Sequence, residues 1–297
     1  EQDPAQPLVN RAIAGALYHP GSTYKLLVAA AAIESGAATP ASTFDNPAQL
    51  QLPQSSAVMQ NASRTACGPG DKATPDTATI QSCNIPIAEP ATEMPRDEVP
   101  KMARAFGFEQ ELQIPLNVSP SVAPAPLDQA QVALSSIGQL DVRATPLQMA
   151  MVAAGIANGG ELMKPQLVDQ IIAPNLSVER EFTPEVLGNP ISSETAQTMT
   201  GMMEKVVSDP SGTGFLAGID GVRVAGMTGP RAHGTAADGS VLPFTLWYPG
   251  FAPAEDPQIA IAVVVANGGG EAHNYLASSY ELPTAIGKRV MEAVLGQ

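Results

Sequence analysis

The chain has 297 residues, with 15 Lys and Arg against 29 Asp and Glu, for a formal net charge of −14. An acidic chain with scattered basic residues lacks the footprint for nucleic acid or an anionic membrane surface. Hydrophobic residues make up 44%, and 26 Gly with 28 Pro are too few for a low-complexity chain, so a globular protein with ample core is expected. No apolar run approaches the roughly 18 residues of a membrane helix. The longest, Ile259 to Ala266, suits a buried strand, and neither a signal peptide nor a transmembrane anchor is read in this chain. His19, His233, His273 and the two cysteines are too widely spread to suggest a metal-ligand cluster.

Residues 1 to 20 are polar and contain proline. Ser22 to Ser35 reads as a helix, with Leu26, Leu27, Val28 and Ile33 among alanines and Gly36 as its stop. Residues 39 to 79, rich in Pro, Ser, Thr, Asn and Gly, are expected as loop with short extended pieces. A short helix is expected over Val99 to Phe106, ending at Gly107. Thr145-Pro146 opens a strong helix, a capping hydroxyl followed by proline at the first helical position, which stops at Gly159-Gly160. A further helix is expected from Glu194 to Val207. Residues 221 to 225, 243 to 251 and 258 to 266 read as strands, and a last helix covers Thr284 to Leu295. There is no internal repeat. Strands closed by a final helix imply a sheet covered by helices.

Chemistry first shows at Pro20-Gly21-Ser22-Thr23-Tyr24-Lys25. Residues i and i+3 share a helix face, so Ser22 and Lys25 can meet. A serine hydroxyl needs a base beside it, and a neutral lysine can be that base. The first turn of a helix and apolar surroundings both disfavour the ammonium form. The plain alternative is a capping serine and a solvated lysine. Against it, the chain has six lysines, and this one sits in an alanine-rich apolar helix. Ser82-Cys83-Asn84 follows 60 residues later. Its hydroxyl can pass a proton to a leaving amine and its amide can hold a carbonyl, though the triplet alone says little.

Together these residues resemble the S-x-x-K and S-x-N motifs of penicillin-binding proteins and class A β-lactamases, which a K-T-G completes. Tyr18 to Lys25 is similar to the Y-x-P-G-S-T-F-K of high-molecular-mass penicillin-binding proteins. Ile137-Gly138-Gln139, Thr145-Pro146-Leu147-Gln148-Met149-Ala150 and Ala157-Asn158-Gly159-Gly160 resemble their I-G-Q, T-P-L-Q-M-A and A-N-G-G, a run not expected of a β-lactamase. Val224 to Gly229 stands where V-A-G-K-T-G belongs. The resemblance covers about residues 10 to 295. It is strongest to actinobacterial class B transpeptidases, whose cysteine pair is matched by Cys67 and Cys83.

The resemblance implies an α+β fold: an antiparallel sheet flanked by helices, plus an all-helical lobe, with the Ser22 helix between them. It implies that Ser22 is acylated, that Lys25 is the base, that Ser82 relays protons and that Asn84 positions the substrate. Met227, Thr228, Gly229 and Pro230 would edge the substrate site, where the substrate adds as a strand. The substrate would be the D-Ala-D-Ala end of a peptidoglycan stem peptide, mimicked by β-lactams, with no cofactor. Residues 1 to 297 would form one transpeptidase domain. The anchor, the N-terminal domain and the two sheet strands that precede the active serine in the family would then be missing from this chain. The domain would lie on the outer face of the cytoplasmic membrane, with cell-division or elongation proteins as partners. A Cys67–Cys83 disulfide is implied in an exported protein, and two unpaired thiols in a cytosolic one.

Departures from the family pattern complicate the chemistry. The K-T-G lysine is Met227, which carries no charge. The next residue after the glycine is Pro230, which has neither the N–H of an oxyanion donor nor a hydroxyl. Two readings stay open: an acylating enzyme slowed at this strand, and a non-catalytic module in the same machinery. A β-lactamase or carboxypeptidase is a weaker third. Arg231 would share a strand face with Met227, but a solvated surface cation is the simpler reading. His233 could face the site, although lone histidines are usually structural or exposed. Trp247 and Tyr248 read as core. Asp209 to Gly214 reads as a flexible loop without the lysine of a phosphate loop. Pro90 is expected to break or kink the helix that follows Asn84.

Overall fold

The computed structural model describes residues 8–112, 114–126, 128–231, 239 and 242–297, with Arg231 described in its backbone alone. A 3-10 turn over Gly21–Tyr24 runs directly into helix α1 (Lys25–Glu34). Its alanines favour helix, and Gly36 at φ +75° closes it. Every residue from Lys25 to Ala32 except Ala29 is buried. A helix apolar all round is one packed on all sides.

Two small antiparallel ribbons follow. Strand β1 (Phe44–Asp45) pairs with β4 (Lys72–Ala73), and β2 (Gln49–Gln51) pairs with β3 (Val58–Gln60). Helices α2 (Pro75–Ile80), α3 (Ile85–Glu93), α4 (Glu98–Ala105) and α5 (Gln129–Ser136) build the helical lobe. Thr74 and Asp128 cap α2 and α5 by accepting from the Thr77 and Gln131 N–H groups. Gly107, at φ +96°, follows α4 as the sequence predicted. Pro90 does not break α3, contrary to expectation. The i−4 carbonyl that Pro90 cannot serve belongs to Pro86 in the first turn, so one bond is lost in a nine-residue helix. Burial of Ile85, Ile87, Ala88 and Ala91 holds the helix in spite of it.

Helix α6 (Pro146–Ala157) starts where Thr145 accepts from the Gln148 N–H, and stops at Gly159 and Gly160, both at positive φ. Strands β5 (Leu162–Met163) and β8 (Val186–Gly188) bracket a hairpin of β6 (Gln170–Ile172) and β7 (Val178–Glu181). Helix α7 (Ser193–Ser208) is capped by Ser192 through the Thr195 N–H. The stretch 209 to 214 is a closed turn rather than a free loop. Asp209 accepts from Ser211, and the Thr213 N–H bonds the Ile80 carbonyl.

The main sheet comes last in the chain: β9 (Ala225–Gly226), β10 (Gly229–Arg231), β11 (Thr245–Ala252) and β12 (Ile259–Val265). Strand β11 is central and buried along its whole length. It pairs antiparallel with β12 on one side and with β10 and β9, end to end, on the other. The sheet is thus three strands wide among the described residues. The strand expected at 221 to 225 begins later, because Gly221 at φ +75° and an Ile219–Val222 bridge turn the chain first. Alternation along β12 sets the layers. Ile259, Ile261 and Val263 pack with Met291 of α8 (Leu282–Leu295), while Ala260, Ala262 and Val264 pack on the core that holds Met149 and Val152 of α6. Trp247 and Tyr248 are fully buried on opposite faces. No described helix is long and apolar enough to cross a membrane.

Candidate active site

Ser22 sits in the 3-10 turn ahead of α1, and several long-range bonds fix that turn. The Gly21 N–H bonds the Gly138 carbonyl, and Tyr18 and Ala144 exchange backbone bonds. The Thr23 hydroxyl donates to the Pro20 carbonyl at 2.8 Å, and the Trp247 indole N–H donates to the His19 carbonyl at 2.8 Å. Gly138, at φ +68°, touches Gly21 so closely that any Cβ would strike its backbone. The I-G-Q motif therefore acts as a seat for the serine turn. Ser22 itself is half-buried.

Lys25, three residues on, is 2% exposed. Its Nζ donates to the Ser82 carbonyl at 2.7 Å and to Asn84 Oδ1 at 2.8 Å, and lies 3.3 Å from Ser82 Oγ. All three partners are neutral. Burial alone pushes the Lys25 amine well below the usual lysine range. A neutral amine has two N–H donors, which the two shorter bonds use. Its lone pair is then left for a hydroxyl proton.

Helix α2 delivers Ser82 to this place. The Ser82 N–H bonds the Thr79 carbonyl and the Cys83 N–H bonds the Ala78 carbonyl. Ser82 holds φ +54° between them. This is a Schellman closure with serine in the left-handed position usually given to glycine. Cys83 is joined to Cys67 by a disulfide, with Cα atoms 5.9 Å apart. Two buried asparagines complete the frame. Asn46 bonds the backbone of Cys67 and Gly70, and Asn61 Oδ1 accepts from the N–H groups of Asn84 and Ile85. Asn84 Nδ2 donates to the Gln60 carbonyl at 2.7 Å, which leaves one amide proton for a ligand. Asn46 and Asn61 escaped sequence reading, since a lone loop asparagine carries no spacing signal.

On the sheet side, Gly229 lies against the serine turn. A Cβ there would meet Thr23 at 2.7 Å. Pro230 opposes Leu246 of β11. Proline cannot donate into a ladder, so its nitrogen faces the outer edge of β10. Met227 is buried, its N–H bonded to the Pro249 carbonyl at 2.9 Å. Thr228 is fully buried and its hydroxyl has no hydrogen-bond partner among the described residues. The structure thus joins Lys25 to Ser82 and Asn84 by hydrogen bonds, sets Met227 beside Lys25, and lays Gly229 against the turn that carries Ser22. His233 and the Arg231 side chain lie outside the described residues.

Such an arrangement can lower the barrier to acyl transfer: a half-buried hydroxyl, a dehydrated amine and a polar pair beside it. Comparison with known proteins points the same way. A family model described as the penicillin binding protein transpeptidase domain matches residues 1–292. The peptidoglycan D,D-transpeptidase PbpA of Mycolicibacterium smegmatis is 38% identical over 294 residues, which cover 99% of this chain and 58% of the relative. PbpA of Mycobacterium tuberculosis H37Rv is 37% identical over 298 residues, with the same coverage of 99% and 58%. A solved structure of penicillin-binding protein A from M. tuberculosis, a ceftriaxone acyl-enzyme complex, matches with a TM-score of 0.91 at 34% identity. That match covers 99% of this chain and 64% of the other. The chain therefore spans less than two thirds of these relatives. Sequence and fold agree along nearly all of it, and the chain belongs to the penicillin-binding-protein transpeptidase domain family.

Proposed function

We propose that residues 1 to 297 form a serine acyltransferase domain of peptidoglycan synthesis, acylated on Ser22 by the D-Ala-D-Ala end of a stem peptide. The observation that carries this reading is Lys25: buried, uncharged in surroundings, and tied to Ser82 and Asn84 one turn from Ser22. The Lys25 amine takes the Ser22 proton as Oγ attacks the penultimate carbonyl. The Ser22 N–H steadies the oxyanion. The proton passes by way of Ser82 to the leaving D-Ala amine, and the acyl-enzyme forms. An acceptor amine from a neighbouring stem then displaces Ser22 and the proton path runs in reverse. β-Lactams open on the same serine, a reading supported by the related M. tuberculosis protein, which is solved as a ceftriaxone acyl-enzyme. Met227 and Pro230 slow the reaction, because neither of them supplies a cation for the substrate carboxylate or a second oxyanion donor. The domain works on the outer face of the cytoplasmic membrane, beside division or elongation proteins. The Cys67–Cys83 bridge suits that oxidising side.

The same two residues favour a second reading, a non-catalytic scaffold in that machinery. Incubation with a fluorescent penicillin, followed by intact-mass and peptide measurement, separates the two. An adduct of the mass of the whole β-lactam on Ser22 is expected. No adduct after prolonged exposure at high β-lactam concentration would establish the scaffold instead.

A further inference from the structure

Beside Lys25, and not lined by Ser82 or Asn84, lies a small void of about 10 Å³, with Lys25, Thr79, Ile87 and four methionines among its walls. Met199, Met202 and Met203 come from α7, and Met227 comes from the link between β9 and β10. All four are 5% exposed or less. A water needs roughly 10–15 Å³ and two to four polar partners. Thr79, the other polar lining residue, already gives its hydroxyl to the Pro75 carbonyl at 2.8 Å. The void is at the lower limit of size for a water, and its lining is apolar apart from Lys25 and a Thr79 hydroxyl whose proton is already given away.

We propose that Met227 and the α7 methionines form a dry sleeve that keeps the Lys25 amine unprotonated, so that dehydration does here what a neighbouring cation would otherwise do. Met227, Met202 and their neighbours are then positioning residues that act through Lys25, and the inference rests on the acyl-transfer reading of Ser22. Among the described residues no acid or base other than Lys25 itself lines the void. The charged groups of the packed elements point elsewhere: on α7, Glu204 pairs with Arg223 and Lys205 with Asp76 of α2. On α3, Glu89 accepts from the Asp45 N–H. Tyr24, next in sequence, stacks edge-on against Phe108. A methionine fits such a wall because it is apolar, flexible and polarisable enough to close on an aliphatic stem. Burial lowers the affinity of the amine for a proton with no electrostatic partner involved.

Two independent readouts test this. The chain has six lysines, so [13Cε]-lysine labelling with Lys25→Arg for assignment gives a resolved titration of Lys25. Lysine has its usual midpoint near 10.4, and the wild-type signal is expected to titrate well below it. Met202→Gln and Met227→Gln bring an amide into the void from two different elements. Each is expected to raise the Lys25 midpoint by about one unit and to move the acidic limb of penicillin acylation up by the same amount. At a pH well below the wild-type midpoint, acylation then falls about tenfold. Met202→Leu, which restores the apolar wall, is expected to return both values to those of the wild type. A Lys25 midpoint in the ordinary range, or no shift in either glutamine variant, overturns the sleeve. A shifted midpoint without an adduct in any variant upholds the sleeve and overturns the acylation reading, so the two failures are distinguishable.

Discussion

On the helical side of the site, Lys25, Ser82 and Asn84 are joined at 2.7 to 3.3 Å, and the loop that carries them is pinned by Asn46, Asn61 and a disulfide. On the strand side, Thr228 has a buried hydroxyl without a partner among the described residues, Pro230 has no N–H, and Met227 is turned into the core. Both walls meet the Ser22 turn, yet one is a connected polar network and the other is mostly shape. Lys25 is held by hydrogen bonds that the helical wall supplies by itself, while the Ser22 turn also hangs on Trp247 of β11. In the proposed acyl transfer, charge develops on the attacked carbonyl oxygen, and the other wall would have to stabilise it.

The largest expected effect removes the base. Lys25→Met keeps the apolar stem and deletes the amine, and penicillin acylation is expected to fall by about 10²–10⁴. A second readout is thermodynamic. Burial holds the folded amine below its unfolded value near 10.4. Between the two values the unfolded chain binds one more proton, so wild-type stability rises with pH by up to ~1.4 kcal/mol per unit and is lost again as pH falls. Lys25→Met lacks that dependence. Denaturant unfolding of both proteins from pH 8 to pH 10 is expected to give a stability difference that moves with this slope. A constant difference would show that Lys25 titrates normally and that the helical wall does not dehydrate its lysine.

Next in size is a repair of the weaker wall. Pro230→Thr returns an N–H to the outer edge of β10, and a single oxyanion donor is worth roughly 10²–10³ in turnover. The second-order rate of acylation is expected to rise about a hundredfold if that donor alone is limiting. No gain would mean that the strand lacks something besides the donor.

Much of the stronger wall was legible in the sequence. Helical spacing pairs Ser22 with Lys25, while Ser82 and Asn84 say little alone and stand out only through the resemblance of the whole motif set. Thr145-Pro146 and Gly159-Gly160 bounded α6 for local reasons. What escaped depends on contacts across the chain. The long-range bonds of Asn61 and Asn46 leave no pattern near those residues. Pro90 read as a helix breaker, because the burial that holds α3 together comes from other elements. The methionines of α7 carry no signal of their own in the sequence, since nothing local tells which side chain they face. Strands β1 to β8 run two to four residues each, too few for alternation to show.

A smaller effect tests the frame rather than the chemistry. The disulfide closes a loop with a sequence separation of 16. Chain entropy for a loop of that size gives ~3 kcal/mol. Replacing both cysteines by serine is expected to lower stability by about that amount in chemical denaturation. At low temperature, where the fold persists, acylation is expected to fall less than tenfold, because Asn61 still holds Asn84. A larger loss of rate than of stability would move the disulfide from the frame into the site.

The smallest expected effect on stability lies at Ser82, where stability and reactivity pull apart. A residue other than glycine in the left-handed region costs about 1 kcal/mol, and the closure of α2 puts Ser82 there at φ +54°. Ser82→Gly removes that strain. It also keeps the strongest local link to the base, since the 2.7 Å bond to Lys25 comes from the Ser82 carbonyl and not from its hydroxyl. The lost contact is the longer one, at 3.3 Å. Stability is therefore expected to hold or rise by up to ~1 kcal/mol. Acylation is expected to fall about a hundredfold through the missing proton relay. Ser82→Ala keeps the strain and loses the relay, so it should match glycine in rate and fall below it in stability. If glycine instead proves the less stable of the two, the hydroxyl is a structural anchor, and the helical wall owes its order to a residue whose role was taken to be chemical.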